Sequence, residues 1–145
     1  MSYIPRFRVE LVREGSVKAV SRAITSPADA DALFRSLLGA ADRECFALLL
    51  LDTRNQAVGL NIVSVGTLNA SLVHPREVFK PALLANAAAI LVAHNHPSGD
   101  PDPSKEDLAL TARLKQAGEL LGIPLLDHLV IGDGRFVSLK ERGLL

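Results

Sequence analysis

With 145 residues, 48% of them apolar and spread along the length, the chain has the size of one ordinary domain that buries a real core, and disorder is excluded. Sixteen lysines and arginines balance sixteen aspartates and glutamates. That removes the basic excess from which a dedicated nucleic-acid binder draws most of its affinity. One cysteine, Cys45, rules out a disulfide within the chain and fits a reducing compartment, and no apolar run approaches the ~20 residues that span a bilayer.

The N-terminus, MSYIPRFRVEL, lacks the charged-then-apolar layout of a signal peptide, so the expected location is cytoplasmic. Over the first 22 residues Arg6, Arg8, Arg13, Lys18 and Arg22 outnumber Glu10 and Glu14, which by default is a solvated face. Residues 6–12 (RFRVELV) alternate weakly and are expected to form an edge strand within residues 1–20. Ser26-Pro27-Ala28-Asp29 is a helix start: an N-cap hydroxyl, proline at the first helical position and an acid three residues beyond the cap. The helix should run to Leu38 and stop at Gly39. Residues 44–51 (ECFALLLL) are too short for a typical helix and are bounded by the turn-like Asp52-Thr53-Arg54-Asn55. They predict a buried central strand, with Cys45 as an inert buried thiol and residues 57–66 as the hairpin partner. A helix is predicted over 75–88, opened by Pro75, with Pro81 as a candidate kink. Residues 89–93 (AILVA) predict another buried strand that ends at His94. Ser98 to Pro103 is a loop, helix 104–121 follows, and Gly122 and Pro124 close it. Strands 128–131 and 135–139, joined by the turn at Gly132-Asp133-Gly134, complete the chain. Helices alternating with strands, and hairpins at both ends, predict a single α/β domain: a mixed sheet with helices on both faces.

The informative segment is 94–107, HNHPSGDPDPSKED. Histidines at i and i+2 leaving a strand point to one side and present two imidazoles to one ion. An aspartate in the first turn of the next helix adds an oxygen across the loop. Two nitrogens and a carboxylate suit a divalent metal of zinc type, and three protein ligands leave a fourth position for water, as in catalytic sites. Such a metal brings the pKa of its water to about 7. Ser104-x-x-Asp107 is equally an ordinary capping pattern, and His94 and His96 would serve as loop histidines bonded to carbonyls. Only their conjunction favours the metal.

The spacing H-x-H-x7-S-x-x-D, met by His94, His96, Ser104 and Asp107, resembles the signature of the JAMM (MPN) metalloprotease superfamily. The longer string HNHPSGDPDPSKED, preceded by VSVGTLNASLVHPREVFKPAL, is similar to the RadC family within it, from about residue 20 to the C-terminus. The resemblance implies a cytidine-deaminase-like α/β/α fold with one Zn2+ held by His94, His96 and Asp107. It also implies an upstream glutamate as general base. Glu44, heading ECFALLLL with the small Ala47 three positions on, fits that place; the rival, Glu77, reads as a first-turn acid favoured by a helix dipole. Ser104 would stabilise the oxyanion. His74 and His128 lack partners at ligand spacing and read as core or surface histidines, although Asp127-His128 is a candidate outer neighbour of the metal. Asp100 and Asp102 are loop acids, solvated by default. Longer RadC proteins carry an N-terminal region resembling a helix-hairpin-helix DNA-binding module that is not found in this sequence, which therefore resembles the short members.

The leading expectation is a zinc hydrolase that cleaves a peptide or isopeptide amide bond of an unidentified protein or peptide. The alternatives are a DNA-repair-associated factor, which the zero net charge and few aromatics disfavour, and a non-catalytic MPN scaffold, which the complete ligand set disfavours. An HNH nuclease is rejected because its residues lie far apart along the sequence, and a deaminase because the P-C-x-x-C half-site is absent. No membrane partner is expected, and an exposed sheet edge leaves a homodimer open.

Overall fold

Seven consecutive residues, Cys45–Leu51, are all buried and form strand β1 at the heart of a five-stranded sheet. The computed structural model describes residues 1–66 and 73–145; the part of the family-like string at 67–72 lies outside the described residues. In chain order the elements are α1 (Pro27–Leu38), β1, β2 (Ala57–Val65), α2 (Pro75–Leu84), β3 (Ala89–Asn95), α3 (Lys105–Leu121), β4 (Leu125–Ile131) and β5 (Phe136–Ser138). The sheet order is β2-β1-β3-β4-β5. β3 and β4 run parallel and every other neighbouring pair is antiparallel, so the sheet is mixed as expected.

Side chains alternate across a strand with period two, and β1 feeds two cores. Phe46, Leu48 and Leu50, with Ile90 and Val92, pack under α2 and α3 through Val78, Phe79, Ala82 and Leu114. Ala47, Leu49 and Leu51, with Leu91, Ala93 and Leu129, pack under α1 through Ala30, Leu33 and Phe34. A continuous apolar run is what a strand covered on both faces requires. No helix among the described residues is long and apolar enough to cross a membrane.

Local chemistry sets the helix ends. Ser26 and Asp29 form a reciprocal capping box on α1, and Asp29 also accepts from the amide and hydroxyl of Thr25. Gly122, in the left-handed region at φ 74°, ends α3. Gly118 lets that helix sit against the start of β4: a Cβ there would lie 2.5 Å from the Ile123 carbonyl oxygen.

Four expectations need correction. Residues 6–12 form no strand and pair with no strand among the described residues; Phe7 is 86% exposed. The chain first meets the sheet at an isolated bridge between Ala23 and Gln56; weak alternation without a partner edge supplies neither ladder bonds nor a buried face. α2 ends at Leu84, not residue 88, because Asn86 adopts a positive φ of 52°; Pro81 lies within the helix, which continues three residues beyond it. β3 does not end before His94 but continues through Asn95, because β1 and β4 both pair with it there. β4 begins at Leu125, three residues early, its first residue pairing with Ile90.

Candidate metal centre

β3 carries His94 inward on the row begun by Ile90 and Val92, opposite Phe46 of β1. His94 is fully buried, its ring stacked on Phe46 at an interplanar angle of 11°. The chain stays with β4 for one further bond, His96 N–H to the Ile131 carbonyl at 2.8 Å. His96 therefore lies two residues on, at the mouth. Its Nδ1 lies 2.7 Å from the Asp100 carbonyl oxygen. A carbonyl only accepts, so Nδ1 carries the hydrogen and Nε2 of the neutral ring is left as a lone pair.

Asp107 arrives from the first turn of α3. Ser104 is the N-cap: its Oγ accepts Asp107 N–H at 3.1 Å, and Asp107 Oδ2 accepts Ser104 N–H at 2.7 Å. The capping reading is met, and the same cap turns the carboxylate toward the histidines, so the cap and a ligand role are compatible. Asp107 Oδ1 lies 3.1 Å from His94 Nε2 and Oδ2 lies 3.3 Å from His96 Nε2. The two Nε2 atoms are 2.9 Å apart, and one ligand atom from each of the three residues falls within 4.8 Å of the others. Burial works against ionisation of Asp107, while the Ser104 N–H bonded to its Oδ2 favours the carboxylate.

This donor set fits a zinc-type ion. Two imidazole nitrogens and a carboxylate converge, the donors such an ion takes, and the cleft outside leaves room for a further ligand. That cleft, of about 410 Å³, is lined by Glu44, His96, Pro97, Ser98, Ser104, Glu106 and Asp107.

Glu44 and Ser104 therefore share the cleft with two of the three residues of that donor set, His96 and Asp107. Glu77 is not among its lining residues; it is exposed on the first turn of α2, with Lys80 Nζ 3.2 Å from its carboxylate. His74 caps α2, its Nδ1 accepting Arg76 N–H. Asp102 faces Arg142 at 3.2 Å, and Asp100 serves the site through its backbone oxygen.

Three further residues surround the site: His128, which with Asp127 the sequence offered as a candidate outer neighbour, and Thr111 and Asn95, which sequence reasoning missed. His128, on β4, is fully buried, with Nε2 2.7 Å from His94 Nδ1. Burial pushes its pKa well down. Thr111 of α3 stands behind it, Oγ 2.5 Å from His128 Nδ1. Asn95 spans Glu44: its Oδ1 accepts Cys45 N–H at 2.7 Å and its Nδ2 donates to the Arg43 carbonyl at 2.8 Å. Only Thr111, four residues after Asp107 on one helix face, left a signal in spacing. Asp127, next to His128, is a structural anchor whose carboxylate accepts from His128 N–H, Lys140 N–H and the Ser138 hydroxyl.

Residues 24–144 match the family described as the RadC-like JAB domain. A UPF0758 protein of Moorella thermoacetica is 54% identical over 138 residues, covering 94% of this chain and 60% of its own length. One of Methanosarcina acetivorans is 51% identical over the same shares. One of Rubrobacter xylanophilus is 52% identical over 122 residues, covering 84% of this chain and 53% of its own. The chain thus spans 53–60% of the length of these curated relatives.

Proposed function

Because this chain belongs to the family of RadC-like JAB domains, we propose that it acts as a zinc-dependent hydrolase, cleaving a peptide or isopeptide amide bond. The observation that carries the reading is the meeting of His94 Nε2, His96 Nε2 and the Asp107 carboxylate at a cleft also lined by Glu44 and Ser104. The two imidazoles and the carboxylate would hold the ion. Zinc, when bound, brings the pKa of its water to about 7 and polarises the carbonyl to be attacked.

The chain's own groups supply the rest. Glu44 accepts a proton from the attacking water and hands it to the departing nitrogen. Ser104 Oγ already receives Asp107 N–H, so its own hydrogen remains to donate to the carbonyl oxygen as charge develops there. The lining acids that would not hold the ion, Glu44 and Glu106, disfavour a phosphate backbone, which supports an amide substrate over nucleic acid.

Zinc-loaded protein offered fluorogenic peptides linked through α- and ε-amino groups should release product. A chelator should stop the reaction, and Glu44→Gln should slow it by roughly 10²–10⁴-fold with metal content unchanged. A Glu44→Gln variant as fast as the parent, or zinc-loaded parent inert to every linkage, contradicts the proposal.

A further inference from the structure

The polar contacts behind His94 have a direction. Thr111 Oγ lies 2.7 Å from the Asp107 carbonyl oxygen, which can only accept, so the hydroxyl hydrogen is committed there. The same Oγ then receives from His128, which places a hydrogen on His128 Nδ1 at 2.5 Å. His128 is fully buried and set edge-on to Phe46 at 74°, surroundings that keep an imidazole neutral, so its Nε2 is a bare lone pair. His94 Nδ1, 2.7 Å away, donates to it. His94 Nε2 is left without hydrogen, facing Asp107 and His96.

We propose that Thr111 and His128 are positioning residues that lock His94 in its Nδ1–H tautomer and so reserve its Nε2 for a metal, an inference that rests on the zinc reading above. The relay works through polarity, not through contact. Reversed, it keeps every distance: His128 Nε2–H would donate to His94 Nδ1, and His94 would carry its hydrogen on Nε2, where a ligand lone pair is required. The reversed chain also turns the Thr111 hydroxyl away from the Asp107 carbonyl. One hydroxyl on α3 thus sets the tautomers of two histidines on two strands. His96 is set separately by the Asp100 carbonyl, so the two imidazoles are prepared by independent means.

The test uses the full chain labelled with 15N and freed of metal, with long-range 1H–15N spectra to read each tautomer. Zinc affinity is measured in parallel by competition with a chelator, and stability by urea unfolding. In the parent, His94 and His128 should both carry hydrogen on Nδ1. Thr111→Val keeps the shape but not the hydroxyl; it should give a substantial population of His94 with hydrogen on Nε2 and weaken zinc by about 10–100-fold. Thr111→Ser should restore both. A merely structural threonine would lower stability and leave the tautomers alone. The proposal is overturned if parent His94 carries its hydrogen on Nε2, or if Thr111→Val keeps the parent's tautomers and zinc affinity. A parent with both Nδ1–H tautomers that binds no zinc would uphold the lock and overturn the zinc reading.

Discussion

Replacing Gly132 by alanine should loosen His96 from outside the site. Where β4 turns toward β5, a Cβ on Gly132 would stand 2.3 Å from the Gly99 carbonyl oxygen and 2.9 Å from Pro101 Cδ. The backbone of the 99–101 loop must therefore retreat by most of an ångström. It is not free to do so cheaply, because Gly99 O accepts Asp133 N–H at 2.9 Å and the next carbonyl, of Asp100, holds His96 Nδ1 at 2.7 Å. Overpacking of this kind costs about 1–3 kcal/mol. Losing an outer partner of a ligating histidine weakens metal binding by about 10–100-fold. Urea unfolding of metal-free protein reads the first quantity and zinc titration against a chelator reads the second. Gly118→Ala is the control: its Cβ would crowd the Ile123 carbonyl at 2.5 Å and Phe79 Cζ at 3.3 Å. It should cost similar stability and leave zinc affinity unchanged. A Gly132→Ala protein that is less stable yet binds zinc like the parent refutes the coupling of this loop to His96.

His128, neutral when folded, takes up a proton near pH 6.5 once unfolded. Metal-free protein should therefore keep this contribution above that pH and lose it as the pH falls below, by up to about 1.4 kcal/mol per pH unit. Unfolding midpoints between about pH 5 and 8 read the slope, and His128→Gln should flatten it; an unchanged slope assigns the effect to another group. Asn95→Ala removes both bonds that flank Glu44 and should cut hydrolysis while zinc content stays at the parent's level. Equal activity would show that the clamp does not position Glu44. Leu114→Ala, buried between α3 and the sheet, should cost about 2–5 kcal/mol; a loss within urea-titration error would contradict the core as described.

Much of this fold was legible where one residue type had one job. The run Cys45–Leu51 announced a strand covered on both faces, and the Ser26–Asp29 and Ser104–Asp107 boxes announced α1 and α3. The same box on α3 concealed its second use, since local spacing cannot tell a capping carboxylate from one that also faces two histidines. The relay was legible only in fragments, Asp127-His128 as a candidate outer neighbour and Thr111 one turn beyond Asp107. His94 and His128 meet only because β3 and β4 pair in parallel, and the register shift between Ile90 and Leu91 is not encoded in any periodicity. A threonine inside a helix reads as a neutral choice until the strand behind it is in place. The misread strand at 6–12 had the converse fault: alternation describes a face but says nothing about whether an edge awaits it. Glu44 and Glu77 were separated in sequence only by position along their elements. In the fold they part more sharply, since Glu44 lines the histidine cleft and Glu77 faces Lys80.

The measurement that bears most directly on the zinc reading is elemental analysis of untagged protein, parent beside His96→Ala. About one zinc per chain in the parent, lost in the variant while its fold persists by circular dichroism, is the expected result. A parent that holds no metal even after zinc is offered would contradict it and leave residues 94–107 as a capped loop.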